Sequence, residues 1–364
     1  MEFKGGFADT LNFLEERTSK EWVGIPNKYE RMKPFISYWE KGTYLLISAG
    51  SGIGKTLFTV SDWLVYPYQF GRNNNYKVKI IYFSLEKKRH IVKSHLISNL
   101  YYQETHNRIS KQELFTRKMD ANTRYNVNQL SMKYDDVDDR IDIVDYLHSP
   151  TDIQKYVRKY MAEHGKFETV EGKKTYISNE DEHVIVVTDT LNALTVMKDK
   201  TKADTIYHFS QEVCKNEFCE LYDITVVNIQ QQNKEQEKNH YNFKGELNEA
   251  ATKPSRNSLG ESLQTFNNCD FLLTLYSPFN YRIGSYPFNA KYAYDITRLK
   301  DKFMLISCEK NRDGDAPFEI ELYSDLAVNY FEELPPVESF YNNDALYKKY
   351  QNYVPKNNAN LLLF

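Results

Sequence analysis

The sequence predicts an α/β fold in which a mostly parallel central sheet is flanked by helices. From about residue 43, short apolar runs rich in β-branched and aromatic residues alternate with segments of helical periodicity, the pattern of repeated strand–helix units. A glycine-rich turn lies between the first of these strands and the helical run that follows. The composition suits a globular chain of this length, since 41% of the 364 residues are hydrophobic and 27% are charged.

Apolar runs define the candidate strands of this sheet and a C-terminal β-hairpin. In chain order the strands are Thr43–Ser48, Val78–Ser84, Ile141–Asp145, Val184–Thr188, Ile224–Ile229, Asp270–Leu275 and Phe303–Cys308, and the hairpin runs are Phe318–Tyr323 and Ala327–Phe331. A helix is predicted after Ser149, because this residue can cap a first turn, apolar residues follow at three- and four-residue steps, and Gly165 then ends the pattern.

The chain divides into one principal domain and two shorter terminal segments. Residues 21–335 form the predicted domain, and the polar stretch 166–182 interrupts it as an inserted hairpin or loop, because it lacks the periodicity of its neighbours. Residues 1–20 contain a short amphipathic linker helix. Residues 336–364 form a C-terminal tail that begins at Pro336.

Charge, cysteine content and the N-terminus exclude several classes of protein. The 47 basic and 50 acidic residues give a formal net charge of −3, so nucleic-acid binding would need a local surface. The 4 cysteines are too few for a disulfide framework, and they do not have the paired short spacings that bind zinc. Neither a signal peptide after Met1 nor a run of apolar residues long enough to span a bilayer is present. We expect a soluble cytoplasmic protein with no membrane association.

The strongest chemical signal is a phosphate-binding loop of the Walker A type after the first strand. It consists of Ala49, Gly50, Ser51, Gly52, Ile53, Gly54, Lys55, Thr56 and Leu57. Glycines let successive backbone N–H groups point at phosphates, Lys55 can reach the β- and γ-phosphates of ATP, and Thr56 can bind Mg²⁺. Ala49 stands where the strict pattern has glycine. The alternative is a glycine-rich turn that binds no ligand.

Two acidic residues complete the predicted nucleotide site. Asp189 follows a strongly apolar strand, where a carboxylate is the expected partner of Mg²⁺; an ordinary capping aspartate is the alternative. Glu86 ends the strand after the loop helix, so its carboxylate can face the γ-phosphate and orient or activate the attacking water. An acid that initiates the next helix is the alternative for Glu86.

These motifs resemble, in the same order, the RecA-like motor domain of DnaB-type hexameric replicative helicases of superfamily 4. The segments that carry the resemblance are Gly24-Ile25-Pro26, Ser51-Gly52-Ile53-Gly54-Lys55-Thr56, Phe83-Ser84-Leu85-Glu86, Asp189-Thr190-Leu191-Asn192 and Ile229-Gln230-Gln231-Gln232-Asn233-Lys234. The resemblance covers residues 21–333. It implies a RecA-like P-loop NTPase fold, in which Glu86 is the catalytic base and Gln231 senses the γ-phosphate. A polar loop residue within Gln230–Asn233 is the alternative for Gln231.

Two further segments extend the resemblance toward the C-terminus. The run Ser258–Ser262, ahead of Asp270, is similar to the family's DNA-facing loop, which implies DNA contacts for Gly260, Glu261 and Ser262. Gly260, however, stands at the family's DNA-contacting arginine, and Leu263 replaces a loop glycine. The run Glu309–Gly314 resembles Lys-Gln-Arg-Asn-Gly, which implies that Lys310 and Arg312 reach into the ATP site of the neighbouring subunit.

The residues themselves favour the same role for Lys310 and Arg312. They are two apart at the end of a strand, so both side chains lie on one face and can offer two positive charges to a polyphosphate. Lys55 already supplies the positive charge of its own subunit's phosphate loop. A second cationic pair, far along the chain, is therefore better explained as an arginine finger that acts on the site of a neighbouring subunit. A solvated strand edge that discourages further strand pairing is the alternative.

The segment Gln231–Gln264 is the candidate DNA-contacting region. Up to Arg256 it carries five basic and four acidic residues, so its composition alone does not indicate a DNA-binding surface. Repeated around a ring, Lys253 and Arg256 would form a basic collar for single-stranded DNA.

We therefore expect an ATP- and Mg²⁺-dependent DNA helicase that moves on single-stranded DNA as a hexameric ring during replication, in a phage system and so in the host cytoplasm. A primase, a loader or a sliding clamp is an expected partner. The C-terminal Asn360–Phe364 resembles a clamp-docking peptide, although packing on its own domain is the alternative. The second hypothesis is a RecA-like DNA-binding or scaffold ATPase that uses ATP as an assembly switch.

Overall fold

A nine-stranded sheet forms the centre of the computed structural model, which describes residues 6–19, 21–116, 119–170, 173–178, 181–233, 248–259, 263–288 and 290–352. The strands are β1 (Gly24–Pro26), β2 (Tyr38–Glu40), β3 (Tyr44–Ala49), β4 (Val78–Ser84), β5 (Ile141–Val144), β6 (Gly165–Val170), β7 (Lys173–Ser178), β8 (His183–Asp189), β9 (Thr225–Gln231), β10 (Phe271–Tyr276), β11 (Ser285–Tyr286), β12 (Tyr294–Asp295), β13 (Phe303–Asn311), β14 (Phe318–Asp325) and β15 (Tyr330–Glu333).

The order of the central sheet is β15-β14-β13-β10-β3-β9-β8-β4-β5. The six strands from β10 to β5 are parallel, and β13, β14 and β15 continue the sheet in antiparallel fashion. Three small two-stranded sheets, β1-β2, β6-β7 and β11-β12, lie outside it. The predicted fold class, a mostly parallel sheet with a C-terminal hairpin, is confirmed.

Helices cover both faces of this sheet. The α-helices are α1 (Phe7–Ser19), α2 (Lys55–Thr59), α3 (Tyr66–Asn73), α4 (Arg89–Thr105), α5 (Lys111–Thr116), α6 (Ala121–Lys133), α7 (Val137–Arg140), α8 (Pro150–His164), α9 (Lys202–His208), α10 (Glu249–Thr252), α11 (Thr265–Asn268), α12 (Ile296–Leu299) and α13 (Asp344–Gln351). A π-helical stretch, Val60–Val65, joins α2 to α3, and a second, Phe209–Cys219, extends α9. None of the helices in these described ranges is long and apolar enough to cross a membrane.

The predicted α8 shows how local sequence sets one of these helices. Ser149 Oγ accepts a hydrogen bond of 3.1 Å from the Asp152 N–H, which satisfies one donor of the first turn. The helix buries Ile153, Val157 and Met161 along one side and ends before Gly165. The hairpin β6-β7 follows, within the stretch interpreted as an insertion.

The two ends of the parallel strands define two edges of the sheet. At the P-loop edge, strands end at Ala49, Ser84, Asp189 and Gln231. At the opposite edge, strands begin at Tyr44, His183 and Phe271, and the antiparallel β13 ends there at Asn311. A six-residue strand such as β3 separates the two edges by about 16 Å.

An aromatic cluster at the C-terminal side accounts for part of the unusual composition of 29 Tyr and 21 Phe. Its buried members include Tyr276, Tyr294, Phe303, Tyr323, Phe340, Tyr347 and Tyr350. Tyr347 and Tyr350 lie on α13, so the segment interpreted as a tail contributes a packed helix as far as Gln351. The clamp-like run Asn360–Phe364 lies outside the described residues.

Candidate nucleotide-binding site

The predicted phosphate loop leaves the sheet at Ala49 and enters α2 at Lys55. Gly52 and Gly54 have φ values of +78° and +104°, a left-handed conformation that favours glycine. A Cβ atom built at Gly54 would lie 3.0 Å from Leu326 Cδ2, so this glycine is also held close to the β14-β15 turn. A Cβ at Gly52 would have no heavy atom of the described residues within 4 Å, so within that part of the chain nothing closes the loop to a ligand.

Lys55 lies beneath this loop. Its Nζ donates hydrogen bonds of 2.9 Å to the Ala49 carbonyl and 2.8 Å to the Gly50 carbonyl. Burial lowers the pKa of Lys55 to about 8, while the nearby carboxylates of Asp189 and Glu86 act in the other direction. The fold thus brings the predicted loop lysine and both predicted acids into one electrostatic environment.

Asp189 has one oxygen fixed and one oxygen without a partner. Tyr82 donates a hydrogen bond of 2.6 Å to its Oδ2, and burial, reinforced by Asp189, raises the pKa of Tyr82, which keeps this hydroxyl a donor. Oδ1 is buried and accepts no hydrogen bond from the residues described. Such an oxygen is unfavourable unless a ligand satisfies it. With the Thr56 hydroxyl at the start of α2, this donor set fits an Mg²⁺ ion held directly by Thr56 and through water by Asp189.

Glu86 lies next to Asp189 because the strands that carry them are neighbours. Ser84 of β4 is in register with Asp189 of β8, and the Leu85 N–H donates a 2.8 Å hydrogen bond to the Asp189 carbonyl. The Glu86 side chain is exposed, and its Oε1 accepts a 3.3 Å hydrogen bond from Thr190 Oγ1. The carboxylate is therefore available at the mouth of the site.

Gln231 is the last residue of β9, paired in register with Ala49 of the loop. Its neighbour Gln230 faces the other side of the sheet, where Thr265 Oγ1 donates a 2.7 Å hydrogen bond to it. Because side chains alternate along a strand, Gln231 lies on the same face as Ala49. The Gln231 N–H is fixed by Asn192 Oδ1 at 2.8 Å.

The structure adds three polar residues that sequence reasoning did not assign to the site. Tyr82 and Asn192 orient Asp189 and Gln231, as described above. Gln232 approaches the loop itself, since a Cβ at Gly50 would lie 3.6 Å from Gln232 Oε1. The sequence has three consecutive glutamines, so it gave no reason to assign Gln232 in particular to the site. For Tyr82 a signal was present, because it lies two residues before Ser84 on β4 and therefore on the same face of the strand.

Lys310 and Arg312 lie at the opposite edge of the sheet. Lys310 Nζ donates hydrogen bonds of 2.6 Å to the carbonyls of both Phe266 and Cys269. Arg312 Nη1 lies 2.8 Å from Asp270 Oδ1. A full strand length separates both residues from their own P-loop, and their predicted placement on one face stays a prediction.

Asp270 also holds a second cation. Lys215 Nζ lies 3.0 Å from the same oxygen that Arg312 contacts, and the Tyr44 N–H donates a 2.9 Å hydrogen bond to the other. Asp270 is buried, so this group of cations is anchored to the start of β10 and β3.

The candidate DNA-contacting residues are only partly described. Lys253 is half-buried and forms an ion pair with Glu319 of β14, and burial lowers its pKa. Arg256 is exposed. Gly260, Glu261 and Ser262 lie outside the described residues.

Comparison with solved structures identifies the fold. One solved structure, of an ATPase domain, superposes with a TM-score of 0.63 at 18% identity, covering 91% of this chain and 100% of that one. A second structure, titled "The Structure Of A DnaB-Like Replicative Helicase And Its Interactions With Primase", gives a TM-score of 0.65 at 18% identity, over 91% of this chain and 69% of that one. No protein-family model and no curated protein matches the sequence. The chain has the fold of the RecA-like motor domain of DnaB-type helicases, which confirms the fold that the motifs implied.

Proposed function

We propose that this chain is an ATP- and Mg²⁺-dependent DNA helicase that translocates along single-stranded DNA as a hexameric ring in replication, in the cytoplasm of its host. The observation that carries the proposal is the division of the predicted machinery between two edges. Lys55, Glu86, Asp189 and Gln231 gather at the P-loop edge, whereas Lys310 and Arg312 lie at the opposite edge. Residues so placed can complete a nucleotide site only between adjacent subunits.

Each residue has a defined task in this proposal. The loop N–H groups and Lys55 bind the phosphates of ATP, and Thr56 with Asp189 holds the metal site. Mg²⁺ bound there would neutralise charge on the phosphate oxygens. Glu86 orients the attacking water and accepts its proton, since its exposed carboxylate lies beside the site.

The neighbouring subunit supplies the remaining charge. Arg312 of that subunit stabilises the negative charge on the transferred phosphoryl group, and Lys310 supports it from the same face. Gln231 links hydrolysis to the chain beyond β9. It pairs with Ala49 of the phosphate loop, and it is also the first residue of the candidate DNA-contacting region. A primase, loader or sliding clamp is the expected kind of partner.

A second candidate function is a RecA-like DNA-binding or scaffold ATPase that uses ATP as an assembly switch without unwinding. The pairing of Lys253 with Glu319 favours it, because a half-buried, neutralised lysine contributes little to a basic collar. The exposed Arg256 then remains the described basic candidate in that region.

Strand displacement on a forked duplex separates the two candidates. We expect the purified chain to release a labelled strand only with ATP and Mg²⁺, and to hydrolyse ATP faster when single-stranded DNA is present. Hydrolysis that leaves the fork intact would favour the scaffold function. A chain that neither hydrolyses ATP nor binds single strands at low salt would contradict both.

A further inference from the structure

A second lysine, Lys87, lies at the mouth of the nucleotide site. It follows Glu86 in the turn that joins β4 to α4, and Ser84 Oγ donates a 2.6 Å hydrogen bond to its backbone carbonyl. The same turn is tied to β8 by the hydrogen bond from the Leu85 N–H to Asp189. The backbone of Lys87 is therefore fixed relative to both predicted acids of the site.

The Lys87 side chain is half-buried, yet its ammonium has no hydrogen-bond acceptor and no ion-pair partner in the described part of the chain. Three other lysines with restricted exposure are paired: Lys28 with Asp62 at 3.1 Å, Lys79 with Asp142 at 2.8 Å and Lys215 with Asp270 at 3.0 Å. A partly desolvated charge without a partner is unfavourable. Lys87 thus differs from these three lysines, because none of the described residues places a counter-charge at contact distance from it.

The charges around Lys87 are those of the nucleotide site. Burial lowers the pKa of Lys87, and so does Lys111, while Asp189 and Glu86 favour its protonated form. The charge of Lys87 in turn lowers the pKa of Lys55. Lys87 therefore lies close enough to Lys55 to affect its pKa, although the two lysines come from different segments.

We propose that Lys87 binds the terminal phosphate of ATP from the same subunit. The inference rests on the proposed ATPase function and adds a residue to it. Lys55 approaches the phosphates from the loop, and Lys87 approaches from the turn that carries Glu86, where the γ-phosphate is expected. A triphosphate supplies the anion that Lys87 lacks, whereas a diphosphate ends short of it. Lys87 is thus a determinant of selectivity for ATP over ADP.

The test compares Lys87→Met with Lys88→Met, which removes the exposed lysine next in the chain. Equilibrium binding of a non-hydrolysable ATP analogue and of ADP, each with Mg²⁺, is measured on the full chain at fixed ionic strength. Loss of a hydrogen bond to a charged group should weaken the analogue by about 10- to 100-fold. ADP affinity should change by less than about threefold, and Lys87→Arg should retain most of the preference for the triphosphate.

The ratio of the two affinities separates this role from a structural one. The nucleotide-free melting temperature of Lys87→Met should be equal to or higher than that of the parent chain, because the variant removes a partly desolvated charge. Lys87→Gln provides a second variant for the same ratio. Equal weakening of analogue and ADP, or no weakening of either, overturns the proposal. A parent chain that binds neither nucleotide overturns the proposed function instead.

Discussion

The two edges of the central sheet hold their charged groups in opposite ways. At the P-loop edge, Asp189 has a buried oxygen with no partner and Lys87 has no acceptor within the described residues. At the opposite edge, Arg312 and Lys215 converge on Asp270. The first edge has polar groups whose partners a ligand would supply. The second edge is satisfied by its own chain.

The difference supports the proposed function, in which one chain carries both halves of a site that is divided between subunits. A guanidinium has five N–H donors, and Arg312 uses Nη1 for Asp270 while its side chain remains 49% exposed. The pairing fixes the direction of Arg312, and in the proposed function its remaining donors would serve a phosphate of an adjacent subunit. In that proposal the opposite edge is ordered before assembly, whereas a bound nucleotide completes the P-loop edge.

Among the variants that test this difference between the two edges, Arg312→Ala is expected to have the largest effect on turnover. Removal of an arginine finger costs about 10³- to 10⁵-fold in turnover, so ATP hydrolysis by the assembled protein should be nearly abolished. Nucleotide binding should persist, because Lys55 and the loop lie at the other edge. Turnover and nucleotide affinity are measured on the same preparation.

Arg298→Ala is the matched control for this variant. It removes another arginine–aspartate pair, in which Arg298 Nη1 lies 2.7 Å from Asp344 Oδ1, and it should leave turnover unchanged. Asp270 keeps Lys215 and the Tyr44 N–H in Arg312→Ala, so this variant should fold. Full hydrolysis by Arg312→Ala would contradict the trans role.

A smaller effect is expected from Glu86→Gln at the P-loop edge. Loss of a general base lowers turnover by about 10²- to 10⁴-fold, while the exposed position and the retained oxygen for Thr190 should preserve fold and nucleotide affinity. Single-turnover hydrolysis measures the effect, with the exposed Glu163→Gln as control. Undiminished hydrolysis would remove Glu86 from the mechanism.

The P-loop edge was largely predictable from sequence because its signals are local. The loop glycines and Lys55 are adjacent in the chain, Asp189 ends an apolar strand, and Glu86 lies two residues beyond the end of another. The prediction ended β9 at Ile229, two residues early, because polar residues followed. The structure shows why the strand continues: Gln230 packs on Thr265, and Gln231 pairs with Ala49.

The opposite edge and the C-terminal segment depend on contacts between distant residues. The ion pair of Arg312 and Asp270 joins residues far apart in the chain, and Lys215 reaches the same carboxylate from a helix that comes earlier still. Likewise α13 is packed by Tyr347 and Tyr350 against aromatic residues of β13 and β14. Nothing in the local pattern of a lysine or a tyrosine reveals such partners. The roles of the site residues and the domain boundaries remain predictions.

The smallest effect concerns the stability of the opposite edge and its dependence on pH. His183, the first residue of β8, is fully buried, with Nε2 2.7 Å from Thr225 Oγ1 and Nδ1 3.2 Å from the Tyr76 hydroxyl. Burial lowers the pKa of His183 from its ordinary 6.5 to about 3. Between these values the unfolded chain binds one more proton than the folded chain, so stability is retained above pH 6.5 and lost as the pH falls below it.

Acidification from pH 7 to pH 5 should therefore cost about 2 kcal/mol of unfolding free energy through His183 alone. Urea denaturation at the two pH values measures this loss. His183→Gln should be less stable at pH 7, because its amide replaces a ring that bridges two partners, but about 2 kcal/mol of the pH dependence should disappear. The exposed His90→Gln should keep the parent difference. An unchanged pH dependence in His183→Gln would place the acid-sensitive group elsewhere in the chain.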